Sequence, residues 1–309
     1  YEKIFKILKI FFRYSIMKKI DEITIIGPGL IGSSLGLAFK KKKIVKRIIG
    51  IDPSESNLKD ALKNNSIDES RKIIDQRVSK SEFIFICTPV SFIDEIVSNL
   101  IPFVGKKNFI TDTGSVKNIF KKSTVKNINA ISNFMPSHPI AGTENSGAKN
   151  ALQGLFEDKW CILTPLSKKY KNIKKFSALW KYIGMEIATM SIDEHDKIMS
   201  ITSHLPHLIA FTIVNTAFKI DVKKKKELIN FSAGGFKDFT RIGSSDPKMW
   251  TDIFLSNNKH LISTLDGFIK DLKDFRELIK KNNLEDIFNL LKQTKDIRKS
   301  ILKANKLKR

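Results

Sequence analysis

Five histidines occur in the 309 residues, and the one placed most like a catalytic group is His138. It trails an apolar run and opens a glycine-bearing loop, His138-Pro139-Ile140-Ala141-Gly142-Thr143-Glu144-Asn145-Ser146-Gly147. A neutral imidazole in such a loop suits proton abstraction near neutral pH, because its pKa lies closest to the working range. Three other clusters carry chemistry. Asp112-Thr113-Gly114-Ser115-Val116-Lys117 follows another apolar run, Ser203-His204-Leu205-Pro206-His207 opens a helical stretch, and Phe236-Lys237-Asp238-Phe239-Thr240-Arg241-Ile242 lies further on.

The remaining cluster addresses a cofactor. Gly27-Pro28-Gly29-Leu30-Ile31-Gly32 is a G-x-G-x-x-G between an expected strand and an expected helix, Leu30 to Phe39. Gly27 makes the tight turn, Gly29 lets the backbone approach a pyrophosphate, and Gly32 lets helix and strand pack closely. The pyrophosphate then sits on the helix N-terminus, where free N–H groups and the helix dipole favour negative charge. Asp52 ends the second expected strand about twenty residues on, where a carboxylate accepts the ribose hydroxyls. That carboxylate repels a 2′-phosphate and no arginine follows in Pro53-Ser54-Glu55-Ser56, which favours NAD over NADP. Thr88-Pro89 ends a further strand, either lining the nicotinamide side or simply starting a helix.

Positioning these groups requires a scaffold, and the chain alternates β-rich apolar runs with helical patterns from Glu22 onward. Strands are expected at 23–26, 47–51, 83–87, 108–111, 133–135, 160–164 and 186–190. From Asp193 the pattern is nearly all helical, with helices expected at 204–218, 257–281 and 284–302. The fold class is therefore α/β: a Rossmann-type dinucleotide-binding domain, 20–191, followed by an all-helical domain, 192–309, after a basic extension, 1–19. A cleft between two such domains is a favoured small-molecule site.

The four motifs G-x-G-L-I-G-x-S, D-x-x-S-V-K, H-P-I-A-G-T-E-x-S-G and S-H-L-P-H, in this order, resemble the prephenate/arogenate dehydrogenase family over about residues 20–254. The resemblance implies oxidative decarboxylation of prephenate to 4-hydroxyphenylpyruvate with reduction of NAD, in tyrosine biosynthesis. Arogenate dehydrogenase or a dual-specificity cyclohexadienyl dehydrogenase is the alternative. It implies that His138 hydrogen-bonds the substrate ring hydroxyl and takes its proton, that Ser115 supports this, and that His207 and Arg241 bind substrate, Arg241 through a carboxylate. A homodimer built through the helical domain is implied as well.

Plainer readings stand beside these. His204 is a substrate ligand or a core histidine, and Glu144 contacts substrate, meets the partner subunit, or is bonded to its own loop. His195 reads as a cap or brace of a helix at the domain boundary. Pro206 reads as a helix start, and no third ligand joins His204 and His207, so no metal is expected. Arg241 stands out in a lysine-dominated chain, where a need for the geometry of its planar fork or a structural salt bridge accounts for it.

Composition narrows the partners. The net charge of +23 comes from 55 basic residues, of which eight are arginine and the rest lysine, dispersed through the chain. That dispersion, without arginine clusters or aromatic platforms, argues against nucleic acid. Apolar runs such as Phe83 to Ile86 fall far short of a bilayer, so no membrane association is expected. Cys87 and Cys161 sit in apolar runs and read as core residues of a cytoplasmic protein. Translation is expected to begin at Met17, which makes the preceding residues an over-extended reading frame; a surface helix and a targeting peptide are the alternatives.

Overall fold

Strands covered on both faces carry unbroken apolar runs rather than alternation, and the centre of this molecule is built that way. The computed structural model describes residues 19–131, 133–167, 170–220 and 230–306. The basic extension ahead of Lys19 and a lysine run at 223–226 lie outside them. Strands β1 (Ile20–Ile26), β2 (Val45–Ile51), β3 (Glu69–Arg71), β4 (Phe83–Ile86), β5 (Phe109–Asp112), β6 (Phe134–Pro139), β7 (Trp160–Leu163) and β8 (Glu186–Thr189) form one sheet in the order 3-2-1-4-5-6-7-8. Pairing is parallel from β3 across to β6, antiparallel between β6 and β7, and parallel again to β8. The strand β3, Glu-Ser-Arg, is a polar edge with no apolar run to announce it.

Helices α1 (Leu30–Lys42), α2 (Glu55–Lys63), α3 (Val90–Leu100), α4 (Lys122–Ile131) and α5 (Ile173–Tyr182) connect the strands. Among the described residues, two apolar cores draw on the strands of the sheet, and a third joins Val90 and Val116 to Trp250 and Ile253. Of the first two, one includes Phe39, Phe83, Phe85, Phe176 and Trp180; the other includes Ile84, Ile86, Ile93, Val97 and Ile110. Because alternate strand residues feed opposite faces, Phe83 and Phe85 fall in one core while Ile84 and Ile86 fall in the other.

After β8 the chain is helical throughout its described residues: α6 (Ile192–Met199), a π-helical turn (Ser200–His204), α7 (Leu205–Ile220), α8 (Gly234–Ile242) and α9 (Pro247–Ser256), then α10 (Asn258–Lys280) and α11 (Leu284–Lys306). A capping box of Ser191 and Glu194 starts α6, and the Asp246 side chain caps α9 with Pro247 in its first turn. Such caps are worth about 1 kcal/mol each. Pro206 does not start a helix as expected. It lies in α7 just after the π-helical turn, whose widened backbone accommodates the missing N–H.

The compact units divide after Asn258, so α6 to α9 belong with the sheet, and α10 and α11 form the second unit. The continuous helical stretch Ile192–Lys219 is long and apolar enough, by length and composition, to cross a membrane, at mean hydropathy 1.2. No single run in the sequence signals this, because the stretch joins a polar helix to an apolar one. It carries the buried His195, Asp196 and His204.

Candidate active site

The strand order reverses between β1 and β4, and a doubly wound sheet binds ligands outside the carboxyl ends of the strands at that point. Gly27 follows β1 with φ +79°, and a Cβ there would lie 2.8 Å from Thr88 Cγ2 and 2.9 Å from the Cys87 carbonyl oxygen, just beyond β4. At Gly32 a Cβ would meet the Gly27 carbonyl oxygen at 2.5 Å and Ile25 Cγ2 at 2.8 Å. Gly29 differs: nothing among the described residues lies within 4 Å of a Cβ built on it. The turn is therefore closed towards the sheet and open above Gly29.

The helix α1 has Gly29 as its N-cap, with no side-chain cap and no acidic residue in its first turn, which leaves its N–H groups available to an anion. Asp52 closes the other side. Its Oδ1 accepts from the Ser54 N–H at 2.8 Å and its Oδ2 from Asn57 Nδ2 at 2.7 Å, a fixed carboxylate at the end of β2. Nearby Arg71 is engaged by Glu69 and Asp75, so it is committed elsewhere rather than to a 2′-phosphate. Thr88 Oγ1 is buried without a hydrogen-bond partner among the described residues, and Pro89 is the N-cap of α3. A dinucleotide fits this set of residues: open backbone for a pyrophosphate, a carboxylate for a ribose, and an unpartnered hydroxyl at the crevice. Burial pushes the Cys87 thiol up to about 12, so it is no nucleophile.

Two strand spacings from β4 along the same edge, ~10 Å, β6 carries His138 one residue before its end. This residue lies within the strand, opposite Ile162 of β7, rather than in the loop beyond it. The preceding motif locks it from beneath. Lys117 and Asp112 form a fully buried ion pair; Lys117 Nζ also donates to the Ser137 carbonyl at 2.6 Å, and Asp112 accepts from the N–H groups of Gly114 and Ser137. The end of β5 is thus stitched to the residue before His138. Ser115, in the same turn, is partly buried.

His138 is half-buried, and its Nδ1 lies 2.9 Å from Nε2 of the buried His195 on α6. His195 Nδ1 lies 2.7 Å from Asp196 Oδ1, and the Asp196 carboxylate also accepts from the N–H groups of Lys117 and Asn118, each at 2.8 Å. Burial holds the His138 pKa well below the ordinary imidazole value, with the charges of His195, Lys117 and His204 acting the same way. It is neutral at neutral pH and able to accept a proton. Burial lowers His195 too, against the opposing pull of Asp196. His195 therefore does not cap or brace α6, as its sequence suggests; Ser191 and Glu194 do that, and His195 faces His138.

Further along the helical stretch, the His207 ring stacks on Trp250 with centroids 3.7 Å apart, and its Nδ1 is 2.8 Å from the Ser203 carbonyl. A carbonyl only accepts, so Nδ1 carries the proton and Nε2 is left as an acceptor. His204 is 1% exposed, with Nδ1 3.1 Å from Asn257 Nδ2 and its ring edge-on to Trp250. It is placed as a core histidine rather than on a substrate surface, and burial lowers its pKa to about 4. Arg241, in the last turn of α8, is exposed and 3.8 Å from Asp238. Its helix ends against α7, since a Cβ at Gly243 would lie 3.4 Å from the Ala210 carbonyl oxygen. Glu144 is exposed on the loop after β6.

Comparison with known proteins identifies the family. The description "Prephenate dehydrogenase, nucleotide-binding domain" matches residues 35–189, and "Prephenate dehydrogenase, dimerization domain" matches residues 191–293. The chain belongs to the prephenate dehydrogenase family. Cyclohexadienyl dehydrogenase of Zymomonas mobilis is 34% identical over 91% of this chain and 96% of its own length, and prephenate dehydrogenase of Bacillus subtilis is 34% identical over 90% and 75%. Among solved structures, prephenate dehydrogenase from Aquifex aeolicus in complex with hydroxyphenyl propionate and NAD+ superposes with a TM-score of 0.82 at 34% identity, covering 91% of this chain and 98% of that one. Synechocystis arogenate dehydrogenase gives 0.72 at 26%, covering 90% and 99%.

Within this family fold, Gly27 and Thr88 meet across the crevice, and His138 is tied to His195, while His207 lies on Trp250. Arg241, Glu144 and Ser115 make no hydrogen bond or ion pair with His138 among the described residues. His195 and Asp196 escaped the sequence reading because nothing in Asp193-Glu194-His195-Asp196 says which strand the helix will cover. A histidine next to an aspartate is the one local trace they leave.

Proposed function

We propose that this protein oxidatively decarboxylates prephenate to 4-hydroxyphenylpyruvate with reduction of NAD, in the supply of tyrosine. The observation that carries the reading is His138: a neutral imidazole at the carboxyl edge of the sheet, its Nδ1 held by His195 and its Nε2 free of any partner among the described residues. Nε2 takes the ring-hydroxyl proton. When bound, the dinucleotide would accept hydride from the carbon bearing that hydroxyl. Loss of carbon dioxide then aromatises the ring, so this step needs little from the protein beyond a fixed substrate. Arg241 grips a substrate carboxylate through its planar fork. His207 supplies Nε2 as an acceptor for substrate, Ser115 supports the His138 contact, and Glu144 flanks the loop. Gly27, Gly29, Leu30, Ile31, Gly32, Asp52, Thr88 and Pro89 hold the cofactor, with NAD preferred over NADP.

A second reading, activity on arogenate alone or on both substrates, is favoured by the likeness to the Zymomonas mobilis cyclohexadienyl enzyme and the Synechocystis arogenate enzyme. We further propose the organisation 20–191 for the nucleotide domain and 192–309 for a helical domain that makes a homodimer in the cytoplasm. Supporting the dimer, Ile262, Leu272, Ile279, Phe288 and Leu291 are exposed on α10 and α11. Such large apolar side chains mark an association surface.

The test offers prephenate or arogenate with NAD or NADP and follows reduced-nicotinamide absorbance, beside His138→Asn. Turnover with prephenate and NAD that falls about 10²–10⁴-fold in the variant supports the reading, and a variant as active as the parent rejects His138 as the base.

A further inference from the structure

Asp196 is acceptor-only, with both oxygens occupied by backbone donors of Lys117 and Asn118. The ring nitrogen facing it, His195 Nδ1, must therefore carry a proton. A neutral His195 then presents a lone pair at Nε2, and the group 2.9 Å away, His138 Nδ1, must be the donor. One buried carboxylate thus dictates the tautomer of a histidine it does not touch, leaving the lone pair of His138 on Nε2, where a base needs it. We infer that Asp196 and His195 serve His138 as a proton relay: they keep its lone pair on Nε2, and His195 Nε2 receives the Nδ1 proton when His138 Nε2 takes one from substrate. This rests on His138 being the base.

The balance is one proton in and one proton onward. The substrate O–H bond breaks as the Nε2–H bond of His138 forms; the Nδ1–H bond of His138 breaks as the Nε2–H bond of His195 forms. No electrons are exchanged along the chain, and the positive charge ends on His195 beside Asp196.

The charges around the pair favour that end point. From β5 and the turn after it, the buried Lys117 ammonium opposes protonation of both rings, its charge offset by Asp112. From the π-helical turn, His204 opposes protonation of His138. From α6, Asp196 favours protonation of His195, 2.7 Å away. Charge left on His138 would have no carboxylate bonded to its ring; moved inward by one ring, it gains Asp196. Asn257 Nδ2 braces the relay from behind by donating to the Asp196 carbonyl at 2.7 Å. His195 and Asp196 are positioning residues, acting through His138.

The experiment combines His195→Gln, His195→Phe and His138→Asn with nitrogen-15 NMR of histidine-labelled enzyme. Glutamine can still accept from His138 Nδ1–H but cannot carry the proton. Its expected effect is a fall in kcat of about tenfold or more, with the cofactor KM unchanged and His138 still in the Nδ1–H tautomer. Phenylalanine is expected to lose more activity and to release the tautomer. If His195→Gln keeps the parental kcat while His195→Phe does not, the ring merely orients and the relay is wrong; parental kcat in both makes it a bystander. The spectrum of the unaltered enzyme tests the idea even if a variant misfolds, since His138 protonated at Nε2 in the free enzyme contradicts it. Full activity in His138→Asn would instead remove the base assignment, an outcome distinct from a normal His195→Gln beside an inactive His138→Asn.

Discussion

Replacing Lys117 by methionine removes one member of an ion pair in which both side chains are fully buried. The Asp112 carboxylate that remains keeps the N–H groups of Gly114 and Ser137 as donors, but has lost its countercharge, and the Ser137 carbonyl has lost its 2.6 Å donor. Breaking a buried pair in this way costs about 3–5 kcal/mol, most of it from the charge left behind. Adding Asp112→Asn removes that charge while an amide oxygen still accepts one N–H, so the double variant is expected to regain about 2 kcal/mol over Lys117→Met alone. Urea unfolding at one fixed protein concentration measures both, since any association between copies would couple stability to concentration. The same substitution removes a charge that depresses the His138 pKa. The acidic limb of kcat/KM should therefore move to higher pH in Lys117→Met. A single variant within about 1 kcal/mol of the parent, or a double variant no more stable than the single, refutes the reasoning that this pair locks β5 to β6.

The glycine turn separates folding from binding. Gly32→Ala, whose Cβ meets backbone at 2.5 Å, should lower the melting temperature, whereas Gly29→Ala, with nothing within 4 Å, should fold normally and raise the NAD KM; equal stability losses in a thermal scan would contradict this. His204 sets a pH dependence. Its folded pKa of about 4 lies below the ordinary 6.5, so the unfolded chain binds a proton that the folded chain refuses. Stability is whole above about pH 6.5 and is lost as the pH falls toward 4, by up to about 3 kcal/mol. Urea midpoints at pH 7 and pH 5 should differ less in His204→Gln than in the parent, and an unchanged difference would count against burial as the cause.

Much of the scaffold was legible because its signals are local. The glycines of Gly27 to Gly32, the doubly buried runs of β1, β2 and β4, and the acid at Asp52 follow from backbone sterics and burial, which act over a few residues. The three-residue β3 was not legible, since a short polar edge strand owes its existence to the neighbour it pairs with. Nor was the path of the chain at Pro206, where the local rule for proline predicts a start and a π-helical turn carries the helix through. The sequence by itself determined the glycine turn after β1, the acid at the end of β2, and a histidine at the carboxyl end of a strand as the candidates for cofactor and base. Tertiary structure alone decided that His195 and Asp196, 57 residues and more from His138, stand behind it, that Lys117 is a buried lock, and that His204 is core while His207 is stacked on Trp250. Those assignments depend on which helix covers which strand edge, and that is settled by the packing of the whole domain, which no spacing within a segment encodes.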